Sequence, residues 1–371
     1  MNALNALNFS AGPGALPGTV LQAAQEAIVA VPEVGLSILG ISHRSDWFAS
    51  VVDETERNIR RLLDLPETHA VLLLQGGATL QFSMVPMLLL RDSGKAAEYV
   101  RGGYWSRRSI PPARLEGEVR VLWDGEALGY RRLPAAEELH CSPEAAYFHY
   151  VSNETVEGIQ FHEIPGREEV PRICDMSSDF LSRPFDAGRF DLIYAHAQKN
   201  LGPAGVTLVV IRRDLLERVP AKIPSLLDYR AHLEARSIYN TPPVFAIYVV
   251  LLVTRWLLDE IGGLNRMAEI NRRKADALYG IIDGHSDIYL GWANSEHRSL
   301  MNVTFNLPTP ELEQTFAAEA AKAGFSGLKG HRSLGGIRAS IYNAMTLDAV
   351  ESLCGFMTDF ASRSDTHRGR V

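Results

Sequence analysis

A lysine at the mouth of a strand is the most chemically telling feature of this chain. Residues 190–195 form a short apolar run with strand character, His196-Ala197-Gln198 leads on to Lys199, and Asn200-Leu201-Gly202-Pro203-Ala204-Gly205 turns the chain into a second run rich in β-branched residues, 206–211. An amine held between two buried runs has little access to bulk water. Desolvation disfavours its charged form, which is the condition a Schiff-base lysine needs. A lysine in a surface turn is the plainer alternative.

Other stretches offer matching chemistry. In Leu74-Gln75-Gly76-Gly77-Ala78-Thr79-Leu80 a strand feeds two glycines and then a helix, which places free N–H groups and a hydroxyl at a helix N-terminus. That is a cradle for a single phosphate, or simply a strand-to-helix turn. It lacks the Gly-Lys-Ser/Thr of a nucleotide loop and the spaced glycines of a dinucleotide site. Asp175 ends the run 172–175, so if consecutive strands are neighbours, Asp175 and Lys199 share one rim of the sheet. A buried Asp there keeps a heteroaromatic nitrogen protonated; a helix N-cap, with Met176-Ser177-Ser178 following, is the alternative. Trp105 offers a face for a flat ring, although core or surface packing is the commoner use of Trp. Thr155, in Asn153-Glu154-Thr155, follows another strand-like run and brings a hydroxyl to the same rim or to an ordinary turn. His43-Arg44, His331-Arg332 and Arg338 lie in loops; arginine forks bind carboxylates and phosphates, and each alone is more often a solvated loop charge.

Positioning these groups requires a scaffold. Apolar runs at 71–74, 96–100, 119–123, 146–151, 172–175, 192–195 and 206–211 are strand-length, several are apolar on both faces, and helix-length segments such as 80–90 separate some of them. The pattern predicts an α/β fold with a mostly parallel seven-stranded sheet covered by helices on both sides. Helical spacing is predicted at 21–30, 47–63, 244–261 and 264–282. A smaller α/β unit follows, with strands at 299–305 and 336–341 and helices at 310–323 and 347–361. We expect a large domain over 17–257, a small domain over 258–371, residues 1–16 associated with the small domain, and a frayed polar tail over 362–371.

Composition narrows the function. The 371 residues have 46% hydrophobic and 22% charged content, with a net charge of −7, as expected of a globular protein with no nucleic-acid or membrane partner. Three scattered cysteines, Cys141, Cys174 and Cys354, suit neither a disulfide framework nor a metal knuckle. No basic residue precedes an apolar run at the start, and the longest apolar run, 242–253, is too short to span a bilayer. A cytoplasmic protein without a metal is the expectation.

A phosphate cradle, a ring-stacking Trp, a buried Asp and a Schiff-base Lys are together the set that pyridoxal 5'-phosphate needs. The chain resembles the fold-type I aminotransferases of class V, in particular those acting on phosphoserine. The resemblance is carried by Asn8-Phe9-Ser10-Ala11-Gly12-Pro13, His43-Arg44-Ser45, Gly76-Gly77-Ala78-Thr79, Asn153-Glu154-Thr155, Ala195-His196-Ala197-Gln198-Lys199-Asn200, Tyr239-Asn240-Thr241-Pro242-Pro243, Gly330-His331-Arg332 and Arg338-Ala339-Ser340. It implies that Lys199 holds the cofactor covalently and shuttles the proton, and that Asp175 pairs with the ring nitrogen. Trp105 would stack on the ring and Thr155 would meet its phenolic side. Ala78, Thr79 and Gln198 would bind the cofactor phosphate, with Asn240 and Thr241 supplied by the partner of a homodimer with shared sites. Arg338 would take the substrate α-carboxylate, and His43, Arg44, His331 and Arg332 the distal anion. The implied reaction interconverts O-phospho-L-serine and 2-oxoglutarate with 3-phosphohydroxypyruvate and L-glutamate. Some relatives also use 4-phosphohydroxy-L-threonine. The resemblance also shows differences: some relatives carry Arg at the position of Thr79, or a basic residue where this chain has Asp46-Trp47.

Three rivals remain. Another class-V aminotransferase would pair a small amino acid with glyoxylate or pyruvate. A cysteine desulfurase would need a cysteine on a mobile loop. A phosphoprotein-binding module built on the His-Arg pairs would have no use for Lys199 or Asp175. Two consecutive prolines after Asn240-Thr241 set a rigid loop suited to an anion across a two-fold interface, or else a helix N-terminus with Thr241 as its cap.

Overall fold

A computed structural model describes residues 7–368 of the chain. Its main sheet has seven strands: β1 (His69–Leu74), β2 (Ala97–Arg101), β3 (Val119–Asp124), β4 (Tyr147–Val151), β7 (Arg172–Asp175), β8 (Leu192–His196) and β9 (Thr207–Arg212). Between β4 and β7 lies a small hairpin of β5 (Asn153–Glu154) and β6 (Ile159–Gln160). The spatial order is β1-β9-β8-β7-β4-β2-β3. All neighbours are parallel except at β9, which runs antiparallel to both β1 and β8. The predicted runs and the observed strands agree to within two residues.

The sheet is buried on both faces because its side chains alternate. Val71, Leu73, Ile193, Ala195, Leu208 and Val210 enter one core, with helices Gly18–Val29, Asp46–Leu63 and Val244–Arg255. Leu72, Leu74, Leu192, Tyr194, Val209 and Ile211 enter the opposite core, under helices Gly77–Leu89 and Tyr104–Arg114. Each fully buried aliphatic side chain contributes roughly 1.5–3 kcal/mol, so a two-sided sheet is a stiff platform for the loops at its rim.

A third core is built from Phe9 and residues between Ala275 and Ala361. It surrounds an antiparallel sheet of β10 (Leu290–Gly291), β11 (Asn302–Asn306) and β12 (Ile337–Ser340). The N-terminal segment is tied to this sheet, since Phe9 N donates to Ser326 O (2.9 Å) and Ser340 N donates to Phe9 O (3.1 Å). It then reaches the main sheet, where Gly14 N donates to Gln198 O (2.7 Å).

Two expectations need correction. The tail does not fray from residue 362, because the last helix runs from Leu347 to Arg368; Met357, Phe360 and Ala361 anchor its middle in the third core and carry the following turns. Residues 1–6 and 369–371 of the expected domain spans lie outside the described residues. Thr241 does not cap the helix Val244–Arg255, which follows Pro243 with no side-chain cap. Among the described residues no helix is long and apolar enough to cross a membrane.

Candidate active site

The strand order explains why distant residues meet. β2, β4, β7 and β8 run parallel, and β1 shares their direction because β9 reverses twice between β1 and β8. The loops after β1, β2, β4, β7 and β8 therefore leave by one rim, where open α/β sheets place their ligands. They enclose a cavity of about 420 Å³ lined by Gly76, Gly77, Ala78, Thr79, Trp105, Val151, Asn153, Thr155, Asp175, Ser177, Ser178, His196, Gln198, Lys199 and Gly205. Seven residues singled out by sequence thus line one hollow: Ala78, Thr79, Trp105, Thr155, Asp175, Gln198 and Lys199.

Lys199 follows β8 by three residues, and its Nζ donates to Thr155 Oγ1 at 2.7 Å. The same Nζ lies 5.7 Å from the Trp105 ring centre. Burial lowers the amine to about 8; the Asp175 carboxylate resists that shift, and the Arg338 guanidinium adds to it. The free-base fraction at pH 7 then rises to about one in ten, from about one in 3,000 for an ordinary lysine. Asp175 is itself buried, which raises its carboxyl, while the Ser177 hydroxyl and N–H and the Lys199 charge pull it back. Ser177 N donates to Asp175 Oδ1 at 2.8 Å, but the segment that follows is a run of turns and not a helix, so Asp175 pins a turn at the rim and caps no helix.

The glycine stretch turns the chain from strand β1 into a helix at the cavity wall. Gly76 and Gly77 adopt positive φ of 93° and 72°, and the helix Gly77–Leu89 starts there with no side-chain cap, which leaves its first N–H groups directed at the cavity end. His196 lies beneath: a methyl on Gly77 would sit 3.8 Å from its ring, and burial together with Lys199 disfavours its protonated form. Phosphate cradle, ring-facing Trp, buried Asp and desolvated Lys fit pyridoxal phosphate in both donor chemistry and cavity size.

Sequence reasoning missed a supporting layer. Glu154 is fully buried and accepts the Trp105 and Ser106 N–H groups at 2.9 and 2.8 Å; Glu157, 4% exposed, accepts the Tyr104 N–H at 2.9 Å. These carboxylates cap the helix Tyr104–Arg114 and fix where Trp105 points. Burial raises both, and Glu154 raises Glu157 further. The close approach requires Gly103, where a methyl would come within 2.6 Å of Glu157 Oε2. The only local signal was two Glu residues three apart after a strand, which by itself indicates nothing.

The cation groups divide. Arg338 Nη1 donates to Thr155 O at 3.2 Å, so the guanidinium borders the cavity, and burial lowers its pKa. The His331 ring packs on Tyr104 with centroids 4.7 Å apart, and Arg332 acts electrostatically on the same Tyr104. His43, Arg44, Asn240 and Thr241 do not line this cavity. Asn240 borders a second hollow of about 300 Å³ behind Gly76, and the Thr241 carbonyl accepts Gln75 Nε2 at 3.1 Å. All three cysteines are buried, so none has the mobile-loop position a desulfurase needs. Among the described residues no cluster of three or more His, Cys, Asp or Glu could hold a metal ion.

Comparison with known proteins agrees with this geometry. Residues 6–353 match the family described as aminotransferase class-V. The phosphoserine aminotransferase of Rhodopirellula baltica is 48% identical over 358 residues, covering 96% of this chain and 95% of that protein. The structure of phosphoserine aminotransferase from Bacillus circulans subsp. alkalophilus superposes with a TM-score of 0.93 at 45% identity, covering 96% of this chain and 98% of that one. A phosphoserine aminotransferase from Trichomonas vaginalis, solved with bound pyridoxal phosphate, gives a TM-score of 0.88 at 36% identity over 95% and 99% of the two chains. The chain belongs to the aminotransferase class-V family and, within it, to the phosphoserine aminotransferases.

Proposed function

We propose that this chain catalyses reversible amino transfer between O-phospho-L-serine and 2-oxoglutarate, giving 3-phosphohydroxypyruvate and L-glutamate on the route to serine. The observation that carries this reading is the desolvated Lys199 amine set between Asp175, Thr155 and the Trp105 ring at one rim. Pyridoxal phosphate supplies an aldehyde that exchanges with amino groups and a ring that draws electrons from the substrate carbon. Ala78, Thr79, Gln198 and the open helix N-terminus would hold its phosphate, Trp105 would cover its ring, and Thr155 would meet its phenolic oxygen. Asp175 keeps a proton on the ring nitrogen. Lys199 Nζ would take the proton from the substrate α-carbon and carry it, which requires the uncharged amine that burial favours. The test is the visible absorption spectrum of the purified holoenzyme: glutamate and phosphoserine should each shift the cofactor band, and 2-oxoglutarate should reverse the shift. A band that neither amino acid moves would refute the assignment. The same site is proposed to accept 4-phosphohydroxy-L-threonine, one carbon longer.

Arg338 binds the α-carboxylate, whereas His43, Arg44, His331 and Arg332 bind the distal phosphate or γ-carboxylate. Arg338→Ala should therefore weaken every amino acid, by roughly 2–5 kcal/mol for a desolvated pair. Arg332→Ala or Arg44→Ala should penalise phosphoserine more than alanine. The kcat/KM ratio for the two substrates decides it, and equal losses would assign these arginines to the fold.

The working unit is a homodimer, because His43, Arg44, Asn240 and Thr241 lie away from the cavity of their own chain. Mixing Lys199→Ala protein with an Asn240→Ala/Thr241→Ala variant should restore activity above both parents, since one site of each mixed dimer is intact. No recovery after proven subunit exchange would return the loop to its own subunit. Within each chain we read 17–257 as the cofactor domain and 258–371 as a smaller domain joined by 1–16, a division that the separate third core supports.

A further inference from the structure

We propose that Arg108, seated by the Tyr104 hydroxyl, is a further specificity-determining cation for the substrate's phosphate monoester, and that the Tyr104 ring is the seat on which the His331-Arg332 loop docks over the cavity. The proposal rests on the reading that His331 and Arg332 face the distal phosphate.

Tyr104 opens the helix Tyr104–Arg114, and its backbone is fixed from below by Glu157. Above, its ring meets His331 from the loop before β12, with centroids 4.7 Å apart. It is therefore a contact between the main-sheet rim and the smaller sheet's loop. One helical turn on, Arg108 Nη1 donates to Tyr104 Oη at 3.1 Å. The Arg108 guanidinium carbon lies 5.8 Å from the Tyr104 ring centre and 5.9 Å from that of Trp105, the ring that lines the Lys199 cavity. Arg108 and Arg332 together pull the Tyr104 phenol below its usual range, so both charges bear on the same oxygen.

These cations lack the compensation found nearby. Arg91, Arg101 and Arg132 are held by Glu116, Asp124 and Glu138. Among the described residues no carboxylate lies within ion-pair distance of Arg108 or Arg332. An exposed guanidinium resting on a neutral hydroxyl, 5.9 Å from the centre of the cavity-lining Trp105 ring, exchanges that weak partner readily for a dianion, and its fork matches phosphate geometry.

Arg108→Gln in the holoenzyme should raise KM for O-phospho-L-serine roughly tenfold with kcat within about twofold, a loss several times larger than for L-alanine. Arg108→Lys should recover part of it, and Tyr104→Phe, which keeps the ring but frees the guanidinium, should fall between. Equal changes for phosphoserine and alanine, or no change while Arg332→Ala penalises phosphoserine selectively, would overturn the proposal. A selective loss in Arg108→Gln without one in Arg332→Ala would uphold Arg108 and remove the His331-Arg332 reading. No selective loss in either variant would remove both.

Discussion

Replacing Lys199 with alanine is expected to cut transamination by at least about four orders of magnitude, because in the proposed role one atom would both bind the cofactor and move the proton. Among the described residues no other lysine lines the cavity. The fully buried Lys274 donates to the carbonyls of Ile341, Tyr342 and Met345 at 3.0, 2.8 and 3.0 Å and does not line the cavity. The variant should still hold pyridoxal phosphate, since the cradle at Gly76–Thr79, the Trp105 ring and Asp175 remain. It should hold the cofactor without a covalent link, so dialysis strips it faster. Borohydride reduction and peptide mapping check the assignment directly: wild-type protein carries the label on Lys199 and the variant carries none. Label on any other lysine would defeat the role given to Lys199. An exogenous small amine should restore a fraction of the proton transfer, since the cavity left by the side chain remains lined by polar groups.

How far the chain could be read without its structure depends on the reach of each interaction. Lys199, Thr155 and Gly76-Gly77 sit just past strands and Asp175 ends one, so their placement follows once those strands are taken as neighbours. The alternation of Val71 and Leu73 against Leu72 and Leu74 appears in sequence only as an unbroken apolar run, yet that run marks a sheet buried on both faces. The layer beneath Trp105 was hidden. Glu154 and Glu157 are local to a two-residue strand and a turn, and what they cap is a helix some fifty positions earlier. That helix, Tyr104–Arg114, is itself hard to foresee, because it is polar, has a glycine, Gly103, at its N-cap position and contains Pro111 and Pro112. The reverse error arose at the tail, where polar composition suggested fraying although the helix from Leu347 is nucleated by its buried first turns. His43, Arg44, Asn240 and Thr241 differ in kind. Among the described residues they are not part of the Lys199 cavity lining, so neither sequence spacing nor the single-chain fold assigns their role.

Asp175→Asn is expected to lower the half-reaction rate with glutamate by two to three orders of magnitude, comparable to removing one preorganised electrostatic partner of a transition state. Asparagine keeps the size of the side chain and the oxygen that accepts the Ser177 N–H, and it removes only the charge. The effect on the fold should run the other way. Burial raises the Asp175 carboxyl in the folded protein above its unfolded value, so the folded state binds its proton up to a higher pH. With more protons bound when folded, stability falls as pH rises past the unfolded carboxyl's range, near 4, and ionised Asp175 is a net cost to the fold at neutral pH. Nearby Lys199 offsets part of that cost and the Ser177 N–H another part, but desolvation is the leading influence. The cofactor-free Asp175→Asn protein should therefore melt at pH 7 no lower than wild type even as the holoenzyme loses rate. That opposition separates a charge kept for chemistry from one kept for architecture. Single-turnover absorbance with glutamate and thermal melting of the cofactor-free protein measure the two sides. A variant that loses stability in step with its rate would make Asp175 a structural cap, and one that keeps more than about a tenth of the rate would show that the ring nitrogen does not depend on this carboxylate.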